Sequence, residues 1–244
     1  DTHADLLRES ASNVGNEHRL GANEAPPAII SMFLGEQLED VLSQLTSTGS
    51  ATSSIQKGKL STGVKSLPEF SKDATDRNRT SPFAFTGNKF EFRMVGSSDS
   101  IASANVALNT IVAESFCEIA DELEKAEDLD MALHNMIKKL ATDHQRIVFS
   151  GNGYSDEWVE EAARRGLPNL ASLVDAIPAL TSEKAIQLFE KFKVYTEVEL
   201  HSRAEIKYET FSKAVKIEAK AMIDIAGKQI IPSVIAYSTK LAES

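Results

Sequence analysis

Cysteine is almost missing from these 244 residues: Cys117 stands alone. That excludes an internal disulfide and any cysteine-cluster metal site. Its apolar surroundings read as an inert core position rather than a nucleophile, and a reducing, cytoplasmic setting fits. Basic charge is also short, with 26 Lys and Arg against 36 Asp and Glu and a formal net charge of -10. Such a surface repels phosphate backbones and anionic lipids, so nucleic acid and membrane are both unexpected as partners, although a local basic pocket remains open. No run approaches the roughly 20 apolar residues of a membrane span, and the N-terminus carries no basic-then-apolar signal pattern. The five histidines show no paired metal spacing. The glycines at 151 and 153 lack the pattern and the preceding strand of a phosphate loop. The chain opens at Asp1 in mid-pattern, as a piece of something longer would.

What is present is ample apolar material, 42% of the residues, enough for one large domain or two small ones. The pattern predicts a short helix over 3–12 and then a loop over 13–27, closed by Pro26 and Pro27 and holding His18, Arg19 and Glu24. From Ala28 the apolar positions Ile29, Ile30, Phe33, Leu34, Leu38, Val41, Leu42 and Leu45 recur at three and four, predicting one amphipathic helix. Residues 46–66 are dominated by Ser, Thr and Gly and read as a mobile excursion. The aromatic pairs Phe83/Phe85 and Phe90/Phe92 flank Thr86-Gly87-Asn88, a hairpin composition, and form the only strand pair expected. Beyond residue 97 the pattern is helical. One buried helix spans Ile101 to Ile119, others run over 131–142 and 156–165, and a capping box of Thr196 with Glu199 opens a long helix reaching Gly227. A last helix is interrupted or kinked near Pro232, and no internal repeat is visible.

The chemistry concentrates around 76–93, DRNRTSPFAFTGNKFEFR. A period of two sends Lys89, Glu91 and Arg93 to one strand face and Phe90, Phe92 and Met94 to the other. Arg77, Arg79 and Arg93 with Arg19 form a candidate anion cradle, since guanidinium forks bind carboxylates and phosphates two bonds at a time. The plainer alternative pairs Arg77 and Arg79 with Asp73 or Asp76 in solvent. Glu91 suits a hard cation such as magnesium or manganese, or a structural salt bridge within the strand. Glu24 is a candidate for closing over a site and taking a proton, or an ordinary loop carboxylate.

The strings RLGANEAPPAI from Arg19, DRNRTSPFAFTGNKFEFR from Asp76 and the small-residue helix after Ser97 resemble, in order, parts of the catalytic domain of glutamine synthetases, in wording closest to the type III form. HADLLRESAS and ALHNMIKKLATDHQRIVFSGNGYSDEWVEEA are similar to that family too, and 171–244 to its C-terminal extension. The resemblance implies an α+β fold: the C-terminal portion of the catalytic domain over 1–128, with few antiparallel strands, then a helical region over 129–244. It also implies an ATP-dependent ligase that phosphorylates the side chain of L-glutamate and lets ammonia displace the phosphate, in a cytoplasmic homo-oligomeric ring. Carried over by position, Arg19 holds glutamate and Glu24 shields the intermediate and helps deprotonate ammonium. Arg79 serves phosphoryl transfer, Lys89 lies near the ATP phosphates, Glu91 binds a divalent metal (Mg2+ or Mn2+), and Arg93 contacts phosphate and glutamate.

Two departures stand out. An arginine that many relatives carry shortly after the Arg79 position is Ala84 here. The family's upstream glutamate pairs and metal-binding histidine have no counterpart, so a C-terminal fragment, inactive by itself, is expected. A helical assembly module is the rival reading, on the apolar stripe from Ile206 to Ile225. A guanidino-kinase-like phosphotransferase is disfavoured because it needs a reactive cysteine near the site, and Cys117 is expected in a buried helix.

Overall fold

Gly35 sets where the first long helix begins. Its φ of 83° and ψ of 155° lie where side chains with a Cβ are strained, so no helix passes through it. The computed structural model describes residues 1–20, 28–54, 59–60, 70–71, 81–97 and 99–243. Within them the chain runs through α1 (Ala4–Ser10), a 3-10 helix (Val14–Arg19), β1 (Met32–Phe33), α2 (Glu36–Thr48), β2 (Lys59–Leu60), β3 (Phe70–Ser71), β4 (Phe83–Phe85) and β5 (Phe90–Phe92). Helices then dominate: α3 (Ala102–Leu123), α4 (Leu129–Asp143), α5 (Asp156–Arg164), α6 (Leu173–Ala176), α7 (Glu183–Lys191), α8 (Glu197–Ile225) and α9 (Ile231–Ala242). The class is α+β, mostly helical with a small sheet, as expected.

The amphipathic helix expected from Ala28 is therefore half wrong. Ile29 forms a bridge with Asn169, and Met32–Phe33 pairs in parallel with Phe83–Ala84. Helix starts only after Gly35. The sheet order is β1-β4-β5, with β4 antiparallel to β5 in the expected hairpin and a parallel pair that the expectation of antiparallel strands did not include. The loop expected over 13–27 begins with the 3-10 helix, opened by Asn13, whose side chain accepts from the Gly15 amide at 3.1 Å. The expected excursion at 46–66 also takes regular structure in part. Its first residues finish α2, and β2 pairs antiparallel with β3; residues 55–58 and 61–66 lie outside the described ones.

Helix α1 is buried on two sides. Leu6 packs with Leu173, Ile177, Leu188, Phe189 and Leu200, while Ala4, Leu7 and Ala11 pack with Leu20, Ile30 and Met94. One short helix thus ties the C-terminal helices to the end of β5. A third cluster gathers Ile29, Ile147, Trp158, Ala162 and Leu167, with the Phe149 ring stacked on Trp158 at 3.7 Å.

The capping box of α8 is present, with Glu199 and Thr196 exchanging side-chain and backbone bonds. Only Leu200 and Ala204 of that helix are buried. Each fully buried Leu or Phe stabilises by roughly 1.5–3 kcal/mol, so α8 is anchored at its first turns. Beyond them, α8, a π-helical turn at Ala226–Ile230 and α9 continue as one helical arm. Pro232 sits in the first turn of α9, where the wide turn before it absorbs the missing amide donor.

Cys117 is exposed rather than buried. The buried residues of α3, Ala104, Ala107 and Thr110, are confined to its first half. Farther along, Val112 and Phe116 face outward, Phe116 at 67% exposure. Burial therefore no longer argues against a thiol-dependent chemistry at Cys117.

Candidate active-site wall

Strand β5 carries the charges, and its position follows from the hairpin. The Thr86 amide donates to the Lys89 carbonyl at 2.9 Å across a turn in which Gly87 has a φ of 97°, and the Arg93 amide donates to the Pro82 carbonyl at 2.8 Å, extending the ladder. The aromatic residues meet on one face as alternation requires: Phe90 lies 5.4 Å from Phe83 and 5.2 Å from Phe85, ring centre to ring centre. Met94 is buried in the α1 cluster, whereas Phe90 remains half exposed at the open end of the ribbon.

On the other face Glu91 sits between two cations. Lys89 Nζ is 3.2 Å from Glu91 Oε1, and Arg93 donates to Oε2 through Nε at 3.2 Å and Nη2 at 3.1 Å. Hydrogen bonds from Lys89 and then Arg93 hold the Glu91 carboxyl below its usual value, so it stays ionised and hard. Burial grades along the strand, from an exposed Lys89 to a mostly covered Arg93. Ala84 stands directly opposite Glu91 in the register and is fully buried on the central strand. An arginine at position 84 would share the face of Glu91, in space the fold has closed.

Arg19 ends the 3-10 helix, and the backbone of that turn is fixed to the same strand. Asn16, buried, donates through Nδ2 to the Ala11 carbonyl at 3.1 Å and to the Met94 carbonyl at 2.8 Å. Leu20, just past Arg19, and Ile30, beyond the segment holding Glu24, both join the cluster of Met94. The structure thus brings Lys89, Glu91 and Arg93 together and sets the turn ending in Arg19 against the end of β5. Glu24, Arg77 and Arg79 lie outside the described residues.

The fit to a divalent cation is that of one wall. Glu91 offers an ionised carboxylate with part of its surface in solvent, but among the described residues no three His, Cys, Asp or Glu side chains converge. Hard cations take six or more oxygens, so Glu91 fits as one ligand of a set completed by substrate phosphate, water or other carboxylates.

Sequence reading missed Asn16 and a buried ion pair between Glu9 on α1 and Lys207 on α8. The pair had a faint signal: Glu9 lies three residues from Leu6, on the same side of α1. Asn16 had none.

Residues 132–244 match the glutamine synthetase C-terminal domain. Over 250 residues, taking in the whole chain, it is 46% identical to the type-3 glutamine synthetase of Dictyostelium discoideum. Glutamine synthetases of Bacteroides fragilis (strain YCH46) and Butyrivibrio fibrisolvens are 40% and 41% identical over 98% and 100% of the chain. The chain spans about a third of the length of these relatives, 34%, 34% and 35% respectively. Along its whole length the chain is thus similar to a segment of glutamine synthetases, and residues 132–244 match that family's C-terminal domain.

Proposed function

We propose that this segment supplies one wall of a glutamine-forming site, in which ATP phosphorylates the side-chain carboxylate of L-glutamate and ammonia displaces the phosphate from the γ-glutamyl phosphate. The observation that carries the reading is the Lys89–Glu91–Arg93 row beside the turn ending in Arg19, in a chain of this ancestry. Arg19 binds the glutamate, and Arg93 holds glutamate and the transferring phosphate with its planar fork. Lys89, the most exposed of the row, reaches the ATP phosphates. Arg79 stabilises charge on the transferring group, and Glu24 shields the acyl phosphate and takes a proton from ammonium. Glu91 is one ligand of Mg2+ or Mn2+, which when bound neutralises phosphate charge as a Lewis acid. What the protein adds is positioning and fixed charge where charge develops.

In this reading 1–128 is the catalytic portion, 129–244 a helical region, and the working form a homo-oligomeric ring in the cytoplasm. No described helix is long and apolar enough to cross a membrane. The test is glutamine formation from glutamate, ammonia and ATP by the assembled enzyme carrying these residues, dependent on Mg2+ or Mn2+. ATP turnover without glutamine would overturn the reading. The 244 residues by themselves are expected to form no glutamine, because among the described residues Glu91 is the one carboxylate of the row and a hard cation takes six or more oxygens. Sustained turnover by the isolated chain would show that its own residues complete the site.

A second reading concerns the arm. Along α8 and α9, Ile217, Met222, Ile223, Ile235 and Tyr237 are each 60% exposed or more, an apolar surface that favours covering by other subunits. The segment then also acts as a helical assembly module. Ile223→Asp combined with Ile235→Asp is expected to reduce the assembled mass in light scattering while the helical circular dichroism is kept. An unchanged mass would remove the arm from the assembly.

A further inference from the structure

We propose that Asn16 is a positioning residue for glutamate binding: its side-chain amide fixes the spacing between the turn that ends in Arg19 and the strand end that carries Arg93. The inference rests on the functional reading above and deepens it.

Three observations place Asn16 there. It is 2% exposed, and both bonds of its Nδ2 go to backbone carbonyls of other segments, Ala11 at the end of α1 and Met94 at the end of β5. Met94 follows Arg93 directly, and Arg19 lies one 3-10 turn, about 6 Å, beyond Asn16. The amide is also boxed in from the strand side. A Cβ at Gly96 would come 3.2 Å from Asn16 Oδ1 and 2.4 Å from Asp99 Oδ2, so the backbone approaches too closely there for a larger residue without displacement. A primary amide is the small side chain that can serve two acceptors from one nitrogen.

If two arginines clamp one substrate, their separation sets how well it binds, and small misplacements weaken a two-point grip. Asn16 touches no substrate in this scheme, so it acts through Arg19 and Arg93. The signature is a change in KM for glutamate that KM for ATP does not share.

The experiment uses the assembled enzyme carrying Asn16→Asp, which keeps the shape of the side chain but turns both donor positions into acceptors facing carbonyls. KM for glutamate is expected to rise by about tenfold or more, with kcat within about threefold and KM for ATP unchanged, as misplacement of a binding group implies. Asn16→Ser, which keeps one donor, should give a smaller rise in the same constant, and serves alone if the aspartate variant does not assemble. Ser182→Ala removes the cap of α7, where the serine side chain accepts from the Ala185 amide. It should lower stability without moving either KM. A glutamate KM unchanged in folded N16S and N16D overturns the inference, as does an equal fall in kcat and rise in both KM values. If the unaltered enzyme forms no glutamine, the functional reading fails instead, and the two failures are distinct.

Discussion

Replacing Lys207 with methionine lowers the stability of the folded protein by about 3–5 kcal/mol at pH 7, the usual cost of leaving a buried charge without its partner. Glu9 is 2% exposed, and its carboxylate is paired with the Lys207 ammonium across the α1–α8 contact. Burial pushes the Glu9 carboxyl above its ordinary value, against the pull of Lys207 and Arg8. With Lys207 gone that pull weakens and the carboxyl rises further. A raised carboxyl binds its proton more tightly folded than unfolded. The stability tied to it is thus present below the ordinary value of 4.5 and lost as pH climbs through the folded one. The gap between K207M and the unaltered protein should therefore narrow on acidification toward pH 4. Glu9→Gln should cost less than K207M at pH 7, because the Lys207 side chain is 23% exposed and can turn its ammonium to water. A loss below about 1 kcal/mol, the size of a surface pair, or a gap that does not close in acid, rules out a buried charge held by Lys207. Urea unfolding at several pH values reads both.

The position of that pair ties stability to the site. Glu9 lies on the helix whose end, at Ala11, is hydrogen-bonded to Asn16, and Leu6 of the same helix is packed by α6, α7 and α8. The helices of the C-terminal domain thus hold α1, and α1 holds the turn ending in Arg19. On the proposed reading, a disturbance of these helices would reach the wall through this one short element.

What was legible in the sequence was local. Thr196 with Glu199 announced the start of α8 because both halves of a capping box lie within four residues. The β4–β5 hairpin and the charged face of β5 followed from alternation over 83–94 alone. The failures share a cause. Ile29, Ile30 and Phe33 suited a helical spacing, but a short apolar run fits a buried strand equally well, and its partner β4 lies some fifty residues away in the chain. Cys117 and Phe116 look like core by composition and stand exposed, because nothing local supplies a surface to cover them. Asn16 was invisible for the same reason. Its decisive bond, to Met94, spans 78 residues, and an asparagine in a Gly- and Asn-rich stretch looks like any other turn residue.

Removing the Arg93 side chain should then separate catalysis from folding most sharply. Arg93 is the most covered member of the row, and it turns two guanidinium nitrogens toward Glu91. On the proposed reading it is the one residue that meets both the transferring phosphate and the glutamate. Loss of a fixed donor aimed at developing charge commonly costs 10²–10³ in rate, and Arg93→Ala is expected to lower kcat/KM for glutamine formation by roughly 10²–10³. Arg93→Lys keeps a positive charge but replaces a planar two-point fork with a single point, so it should recover less than about tenfold of the loss. The backbone bond from Arg93 to Pro82 is kept, and the melting temperature separates a loss of fold from a loss of chemistry. Freed of the hydrogen bonds from Arg93 that help depress it, the Glu91 carboxyl should titrate closer to its ordinary value, an effect visible as a shift in a carboxylate resonance. Activity of R93A within tenfold of the unaltered enzyme, with its melting temperature unchanged, would take Arg93 out of the phosphate site. Glu91 and Lys89 would then read as a salt-bridged strand face with no part in the chemistry.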